Sequence, residues 1–382
     1  MKLASAVLAT VLTHIFITAV ATAQPGAPGT AGYDKGFYLK GNDDRFALEL
    51  TGRVQPFWTY TRAEGTSPSK TAFEIRRARL TLEGNIFGKD LLYKLQTDFG
   101  KGAVQLRDFH FDVRLRGDTW LRVGQWKRPF SRQHITSSGR LELTDRSIID
   151  KAFDAGRDIG VALRNDYEKS PPIEWTVGVF NGTGIDPRQV GVLDPDTGEV
   201  AITNPTDVPG TFQPTVVGRI GVNEGGIKGY SEADLEGGPL RWAAGASVSI
   251  DGDLDRRDDA RDKLELDYIV KAHGVSSNGG VYAMTRQAGA KPFRDQELGW
   301  LGMYAQAGYL VASRWQVAGR YSLVNVHEDG EPDVNQQELD LGVGYLRHGN
   351  DAKVQGAIRL LKSTGEDWGD TILIEISSNV GF

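Results

Sequence analysis

The sequence predicts an all-β protein, a transmembrane antiparallel β-barrel of about 16 strands. Three observations predict it: short segments that alternate between apolar and polar residues, an apolar export segment with no later run long enough for a spanning helix, and a last alternating strand that ends on Phe382. Because half of each barrel strand faces water, the mean hydropathy of −0.35 is compatible with a membrane protein.

Residues 1–23 are predicted to be a signal peptide. Lys2 gives the positive start, an apolar run follows to Val20, and Ala21-Thr-Ala23 has the small-x-small pattern of a cleavage site. Residues 24–44 are predicted to be a disordered leader and the start of the barrel, because 24–36 is rich in Pro and Gly. The barrel domain is expected over 45–382, in the bacterial outer membrane.

Sixteen segments show the alternation of a strand. A transmembrane strand needs roughly 9–11 tilted residues, and an even number returns both ends to one side. The segments are 45–60, 70–87, 91–99, 104–115, 118–126, 157–166, 173–182, 212–222, 240–251, 261–273, 277–288, 298–310, 314–325, 335–348, 352–363 and 370–382.

The connections alternate in length as a barrel requires. With the first strand starting in the periplasm, the odd-numbered gaps are external loops, and the fifth (127–156) and seventh (183–211) are the longest. The eighth gap, 223–239, does not fit because it is too long for a simple periplasmic turn.

The stretch Phe73–Gly84 shows the clearest separation of an apolar face from a polar face. One face carries Ala78, Leu80 and Leu82, and the other carries arginines, which predicts lipid on one side and water on the other. The same strand parity turns four arginines to the lumen, namely Arg53, Arg77, Arg79 and Arg122. Arg76 has the lipid parity, so we expect it at the membrane interface, where a long side chain can snorkel.

The charge distribution indicates an anion site. Residues 70–165 carry 19 Lys/Arg against 12 Asp/Glu, inside a chain whose net charge is −6. A local basic segment in an acidic protein favours small anions over nucleic acid. Arginine suits such a site because its planar fork binds oxyanions and keeps its charge.

Four motifs in order resemble the phosphate-selective porin O and P family of outer-membrane proteins. They are Phe73-Glu-Ile-Arg-Arg-Ala-Arg-Leu80, Leu91-Leu-Tyr-Lys-Leu95 with Asp98, Val123-Gly-Gln-Trp-Lys-Arg-Pro-Phe130 and Gly156-Arg-Asp-Ile-Gly-Val161. The resemblance extends from about residue 45 to Phe382. It implies a trimeric barrel in outer-membrane lipid that is assembled through its terminal Phe382.

The resemblance also implies a third external loop folded inward, and a ladder of arginines that leads small anions, phosphate or polyphosphate above all, to a constriction. Arg53 and the Arg76-Arg77 pair match the ladder. Asp98 resembles the constriction aspartate and Lys127 a constriction lysine. Arg128 and Arg132 follow Lys127 at the start of the candidate constriction loop.

Other interpretations stay open. In 251–262 six aspartates outnumber three arginines, which disfavours phosphate and leaves a weakly selective porin as an alternative. A structural or partner-binding barrel of an envelope complex is another. The arginines could also pair with acids across strands and merely stabilise a polar interior. These acids are Glu49, Glu83, Asp108 and Asp112.

An enzyme is not expected. The chain has no cysteine, its six histidines lack the His-x-x-x-His spacing of a metal site, and no Gly-x-Ser-x-Gly motif occurs. We therefore expect no cofactor.

Overall fold

The computed structural model describes residues 29–41, 45–63, 69–102, 104–153, 155–182, 190–193, 200–203, 214–251, 262–285, 298–327 and 332–382. The predicted signal peptide lies outside these residues, as does most of the acidic segment 251–262. No helix in the described part of the chain is long and apolar enough to cross a membrane.

The described residues form twenty strands. They are β1 (Thr30–Tyr33), β2 (Phe37–Lys40), β3 (Ala47–Ala63), β4 (Lys70–Asn85), β5 (Leu91–Asp98), β6 (Gln105–Arg116), β7 (Thr119–Lys127), β8 (Arg157–Arg164), β9 (Ile173–Phe180), β10 (Val190–Leu193), β11 (Val200–Thr203), β12 (Thr215–Glu224), β13 (Arg241–Asp251), β14 (Lys263–Ala272), β15 (Val275–Thr285), β16 (Leu298–Val311), β17 (Trp315–Val326), β18 (Val334–His348), β19 (Ala352–Lys362) and β20 (Thr371–Gly381).

Strands β3–β9 and β12–β20 close into a barrel of sixteen antiparallel strands. Each pairs with the next along the chain, β9 pairs with β12, and β20 pairs with β3 to complete the circle. The predicted fold class and strand number are confirmed. Strands β10 and β11 form a separate hairpin within the long seventh gap.

Residues 30–40 are ordered as a hairpin rather than belonging wholly to a disordered leader. Strands β1 and β2 pair with each other, and β2 continues along the start of β3, which β20 does not reach. Within the hairpin the rings of Tyr33 and Phe37 lie 5.3 Å apart, and Phe37 contacts the barrel through Phe382, at 6.0 Å between ring centroids. The Pro/Gly composition of the preceding residues concealed these contacts.

The barrel has its apolar residues outside and its polar residues inside. On β14, for example, Leu264 and Leu266 are exposed by 42% and 51%, while Glu265 and Asp267 are buried. A water-soluble protein has the opposite arrangement, so the outer wall is built to contact lipid.

A β-bulge reverses the expected orientation of Arg76. Gln55 pairs with Arg77 and Pro56 with Ile75, so Arg76 is the extra residue of β4. Two successive residues, Arg76 and Arg77, therefore point into the barrel, which corrects the lipid-facing placement of Arg76. Pro56 lacks an N–H for the sheet ladder, which makes a bulge favourable at this position.

A second bulge occurs in β6. Gln96 pairs with Asp108 and Thr97 with Leu106, which leaves Arg107 as the extra residue. Leu106 is exposed on the outer wall, whereas Arg107 and Asp108 both face inward. Both bulges thus add one arginine to the inner surface.

Loop 128–156 reaches inner-wall side chains of β17, β19 and β20. Lys353 Nζ donates to Leu141 O at 2.6 Å, Gln355 Nε2 donates to Glu142 O at 2.6 Å, and Thr144 Oγ1 donates to Glu375 at 2.7 Å. The short helix Ile148–Ala152 follows, and Ile149 packs in an apolar cluster of the barrel interior.

The eighth gap is an inward-folded segment, turn 225–240, and not a simple periplasmic turn. Glu232 N donates to Arg140 O at 3.1 Å, and Glu142 N donates to the Glu232 carboxylate at 2.7 Å. Tyr230 donates to the buried Glu174 at 2.8 Å. The loop from one end of the barrel and the turn from the other therefore meet inside it.

Candidate functional site

A polar cavity of about 550 Å³ lies between loop 128–156 and the inner face of strands β3–β6, β19 and β20. Among its lining residues are seven cationic and four acidic side chains, a surplus of three positive charges. The cationic residues are Arg76, Arg77, Arg79, Lys101, Arg107, Lys151 and Arg359, and the acidic ones are Glu74, Asp98, Asp145 and Glu375. We call this space the cationic cavity.

Carboxylates compensate the adjacent arginines of the first bulge. Arg76 contacts Glu74 at 2.6 Å, Glu375 at 2.8 Å and Asp145 at 3.3 Å. Its guanidinium also stacks 3.8 Å over the Phe57 ring. Arg77 contacts Asp145 at 3.1 Å. These pairs join strand β4 to loop 128–156, so both arginines position the loop as well as lining the cavity.

Asp145 is the loop residue on which these contacts converge. Burial by itself would raise its pKa, but the charges of Arg77 and Arg76 lower the pKa below its usual range. Asp145 is therefore ionised at neutral pH and neutralises part of the arginine charge.

Arg79 and Asp98 form a pair on neighbouring strands. Arg79 Nε donates to Asp98 at 2.8 Å, and the backbone N–H groups of Ala78 and Gly100 donate to the same carboxylate at 3.0 Å each. Both residues line the cavity. Asp98 also orders the short connection that follows β5.

Arg53 holds the tip of loop 128–156. Its two terminal nitrogens donate to the hydroxyls of Ser137 and Ser138 at 3.0 and 2.9 Å. Arg53 forms no ion pair with the carboxylates of the described residues. Its charge thus lies next to the loop tip, bound to neutral groups.

Lys127 stabilises the loop fold from a half-buried position. Its ammonium group donates to the carbonyl oxygens of Ile135 and Thr136 at 3.1 and 3.3 Å, and also to that of His134. These carbonyls lie at the end of the short helix Arg132–Ile135, where a cation is favourable. The structure thus places Lys127 on the loop backbone and not among the residues that line the cavity.

The other two residues predicted at the constriction also anchor the loop. Arg128 donates to Ala155 O, which joins the two ends of the loop, and lies 3.9 Å from Asp158. Arg132 is buried, contacts Asp267 on the far wall and donates to Gly229 O of turn 225–240 at 3.1 Å. Neither residue lines the cationic cavity.

Arg122 lies away from the cavity, near the short turn between β6 and β7. It donates two hydrogen bonds of 2.8 Å to Asp112 and lies 3.4 Å from Glu168. Arg122 therefore makes the cross-strand pair that the alternative interpretation expects.

Sequence reasoning missed several cavity residues. Arg107 was missed because its bulge changes the strand parity. Asp145 and Lys151 were missed because loop 128–156 carries no strand pattern. Glu375 lies nearly 300 residues from Arg76 along the chain, and only the closure of the barrel brings them together.

Metal-binding geometry is not found, since the described residues contain no cluster of three or more His, Asp or Glu side chains able to hold an ion.

A closed sixteen-stranded barrel with an apolar outer wall and a polar interior is the architecture of outer-membrane porins, and comparisons with solved structures agree. An anion-selective porin from Comamonas acidovorans aligns with 12% identity and a TM-score of 0.55, covering 88% of this chain and 99% of that one. OprB of Pseudomonas putida aligns with 10% identity and a TM-score of 0.58, covering 91% of this chain and 95% of that one. OmpT of Vibrio cholerae in its trimer form aligns with 11% identity and a TM-score of 0.53, covering 88% of this chain and 99% of that one.

The sequence itself defines the family. Residues 48–355 match the model of the phosphate-selective porins O and P, and the chain belongs to this family. It is an outer-membrane porin, located in the bacterial outer membrane. No curated protein sequence matches the chain.

Proposed function

We propose that this porin passes small anions by passive diffusion along the wall formed by β3–β6, with phosphate or polyphosphate as the preferred solute. The surplus of three positive charges in the cationic cavity is the observation that carries the proposal. Donors on such a wall replace part of the water that an anion loses on entering a narrow passage.

Loop 128–156 is the constriction in this proposal. It carries Asp145 and Lys151 to the cavity and is fixed by Arg53 and Lys127. Seven of the residues predicted for the anion path and the constriction thus divide into two groups. Arg76, Arg77, Arg79 and Asp98 line the path of the passing ion, while Lys127, Arg128 and Arg132 hold the loop that narrows this path.

The assembly we propose is a homotrimer in outer-membrane lipid, inserted by the barrel assembly machinery through the strand that ends at Phe382. The trimer form of the similar OmpT barrel supports the oligomeric state. The exposed apolar outer face supports the lipid contact.

Planar-bilayer recordings test the proposal. In a KCl gradient we expect a reversal potential set by chloride, and phosphate should reduce the chloride current with saturation. Arg77→Glu should lower the anion preference, because it replaces a positive charge beside the passage and removes the partner of Asp145. Linear, cation-tolerant currents without saturation would instead identify a weakly selective porin.

A second candidate is a plugged barrel that serves an envelope complex. The direct contact between loop 128–156 and turn 225–240 favours it, because the two segments fill the interior beside β14–β19. Purified protein that inserts into bilayers and conducts no ions would support this candidate and contradict the porin proposal.

A further inference from the structure

We propose that Arg107, the extra residue of the second bulge, is the main fixed determinant of anion selectivity in this channel. This inference rests on the proposed function and extends it. It assigns the selective charge to a residue outside the Arg76-Arg77 motif, which the porin resemblance emphasises.

Carboxylates compensate four of the five arginines that line the cationic cavity. Arg76, Arg77 and Arg79 each contact at least one carboxylate within 3.5 Å, and these carboxylates are the four acidic residues of the cavity lining. Arg359 contacts Glu338 and Asp340 at 3.3 and 3.0 Å, outside the lining. An anion near these four arginines meets ion pairs that are already neutral or acidic overall.

Three other cations of the cavity lining account for its surplus of positive charge. Within the described residues, Lys101, Arg107 and Lys151 are the cations of the cavity lining for which no ion pair is found. Lys101 and Lys151 are exposed on flexible stems, which spreads their charge over many positions. Arg107 is half-buried on a barrel strand, so its charge keeps a fixed position.

A hydrogen bond orients the Arg107 side chain. Its Nη1 donates to Gln105 Oε1 at 3.1 Å, whereas its Nε is buried and has no hydrogen-bond partner among the residues that the structure describes. A buried donor without a partner is unfavourable, and the enclosed Nε lies out of reach of an anion in the cavity. Arg107 therefore acts on the passing anion through its net charge, which the hydrogen bond to Gln105 helps to hold in place.

The bulge gives the reason why this arginine is available. Without the extra residue, regular alternation would place either residue 107 or residue 108 on the outer wall. The bulge keeps Asp108 inside, where it contacts Arg157 at 2.7 Å, and leaves Arg107 free toward the cavity. Arg157, and not Arg107, therefore forms the ion pair with Asp108.

The test compares Arg107→Gln with wild type and with Arg116→Gln by reversal potential in a KCl gradient. Arg116 is exposed at the opposite end of the same strand, so this control removes an equal charge outside the cavity. We expect Arg107→Gln to lower the anion-to-cation permeability ratio roughly two- to fivefold, the size expected for one partly screened unit charge near the ion. Arg116→Gln should resemble wild type, and Arg107→Lys should retain most of the preference.

The possible outcomes separate this inference from the proposed function. If wild type is anion-selective and Arg107→Gln has the same reversal potential, the assignment to Arg107 is wrong while the porin proposal stands. If wild type shows no anion preference, both are wrong. Arg107→Met, which keeps the aliphatic stem, replaces the glutamine variant if that variant fails to assemble.

Discussion

The two halves of the barrel interior use the same residue type for different purposes. Beside β3–β6, arginines line an open cavity and retain a surplus of charge. Beside β12–β18, arginines are enclosed by acids: Arg219 contacts Glu174, Glu265 and Asp267, and Arg320 contacts Glu338 and Asp340. Exposure to the cavity, and not inward orientation, distinguishes a wall residue of the passage from a structural one: the side chains of Arg76 and Arg77 are 14% and 13% exposed, whereas those of Arg219 and Arg320 are 0% and 1% exposed.

The largest effect is expected from breaking the enclosed network at Asp267. Asp267→Asn removes the carboxylate that contacts both Arg132 and Arg219, which leaves two buried cations undercompensated. We expect a loss of about 3–5 kcal/mol in the free energy of unfolding, together with release of loop 128–156. The measurement is urea unfolding of the detergent-folded barrel, followed by gel mobility.

The matched control is Asp90→Asn. Asp90 pairs with Arg114 at 3.4 Å in an exposed turn, where the same substitution should cost less than about 1 kcal/mol. Equal losses in the two variants would contradict the special cost of breaking the enclosed network, because an exposed ion pair would then be worth as much as a buried one.

An intermediate effect is expected at the contact between loop 128–156 and turn 225–240. Burial raises the pKa of Glu142 to about 7, and the neighbouring Glu232 carboxylate adds to the shift. Gln306 Nε2 donates to both carboxylates, at 3.0 and 2.9 Å. Lys271 acts in the opposite direction and lowers this pKa.

The sign of the pH dependence follows from this raised pKa. Near pH 4 the folded and unfolded states both hold the proton, whereas between the ordinary pKa of 4.5 and about 7 only the folded state holds it. Stability should therefore fall by about 3 kcal/mol as the pH rises through this range and change little above it. Unfolding midpoints at pH 4–8 measure the fall, and Glu142→Gln, which mimics the protonated acid, should flatten the profile. An unchanged slope in that variant would exclude Glu142 as its source.

The smallest effect is expected from Gly139→Ala at the loop tip. A Cβ there would lie 2.2 Å from Arg53 Nη1, the flexible end of a side chain, so Arg53 should move aside and lose a hydrogen bond to Ser137 or Ser138. We expect a cost of about 1 kcal/mol and a small change in single-channel conductance.

Gly356→Ala is the control for this variant, because its Cβ would meet only Glu375 O at 3.9 Å. Identical conductance and stability in the two alanine variants would show that Arg53 does not depend on the space left by Gly139.

The fold was predictable from sequence because lipid and water impose a strict alternation on every strand. The inward orientation of Arg53, Arg77 and Arg79 follows from the same pattern. The alternation fails where one residue is added to a strand, as at Arg76 and Arg107, since the bulges leave no periodic signal of their own.

The contacts of the site residues were less predictable. Lys127 and Arg132 were expected at the constriction from their place in the loop, but their partners are backbone carbonyls and an acid of the opposite wall. Turn 225–240 was recognised as too long, yet its inward path depends on contacts with Arg140 and Glu174 that lie far away in sequence.

The pairing of β3 with β20 has a consequence for the order of assembly. Gly52 N donates to Phe382 O at 2.9 Å, and Phe382 N donates to Gly52 O at 3.0 Å, a closure between residues 330 positions apart. Contacts of such long range are slow to form, because a large loss of chain entropy precedes them. Until they form, the sheet has two open edges that can pair with other chains. The seam between these strands is therefore the point at which a folding intermediate most needs protection from aggregation.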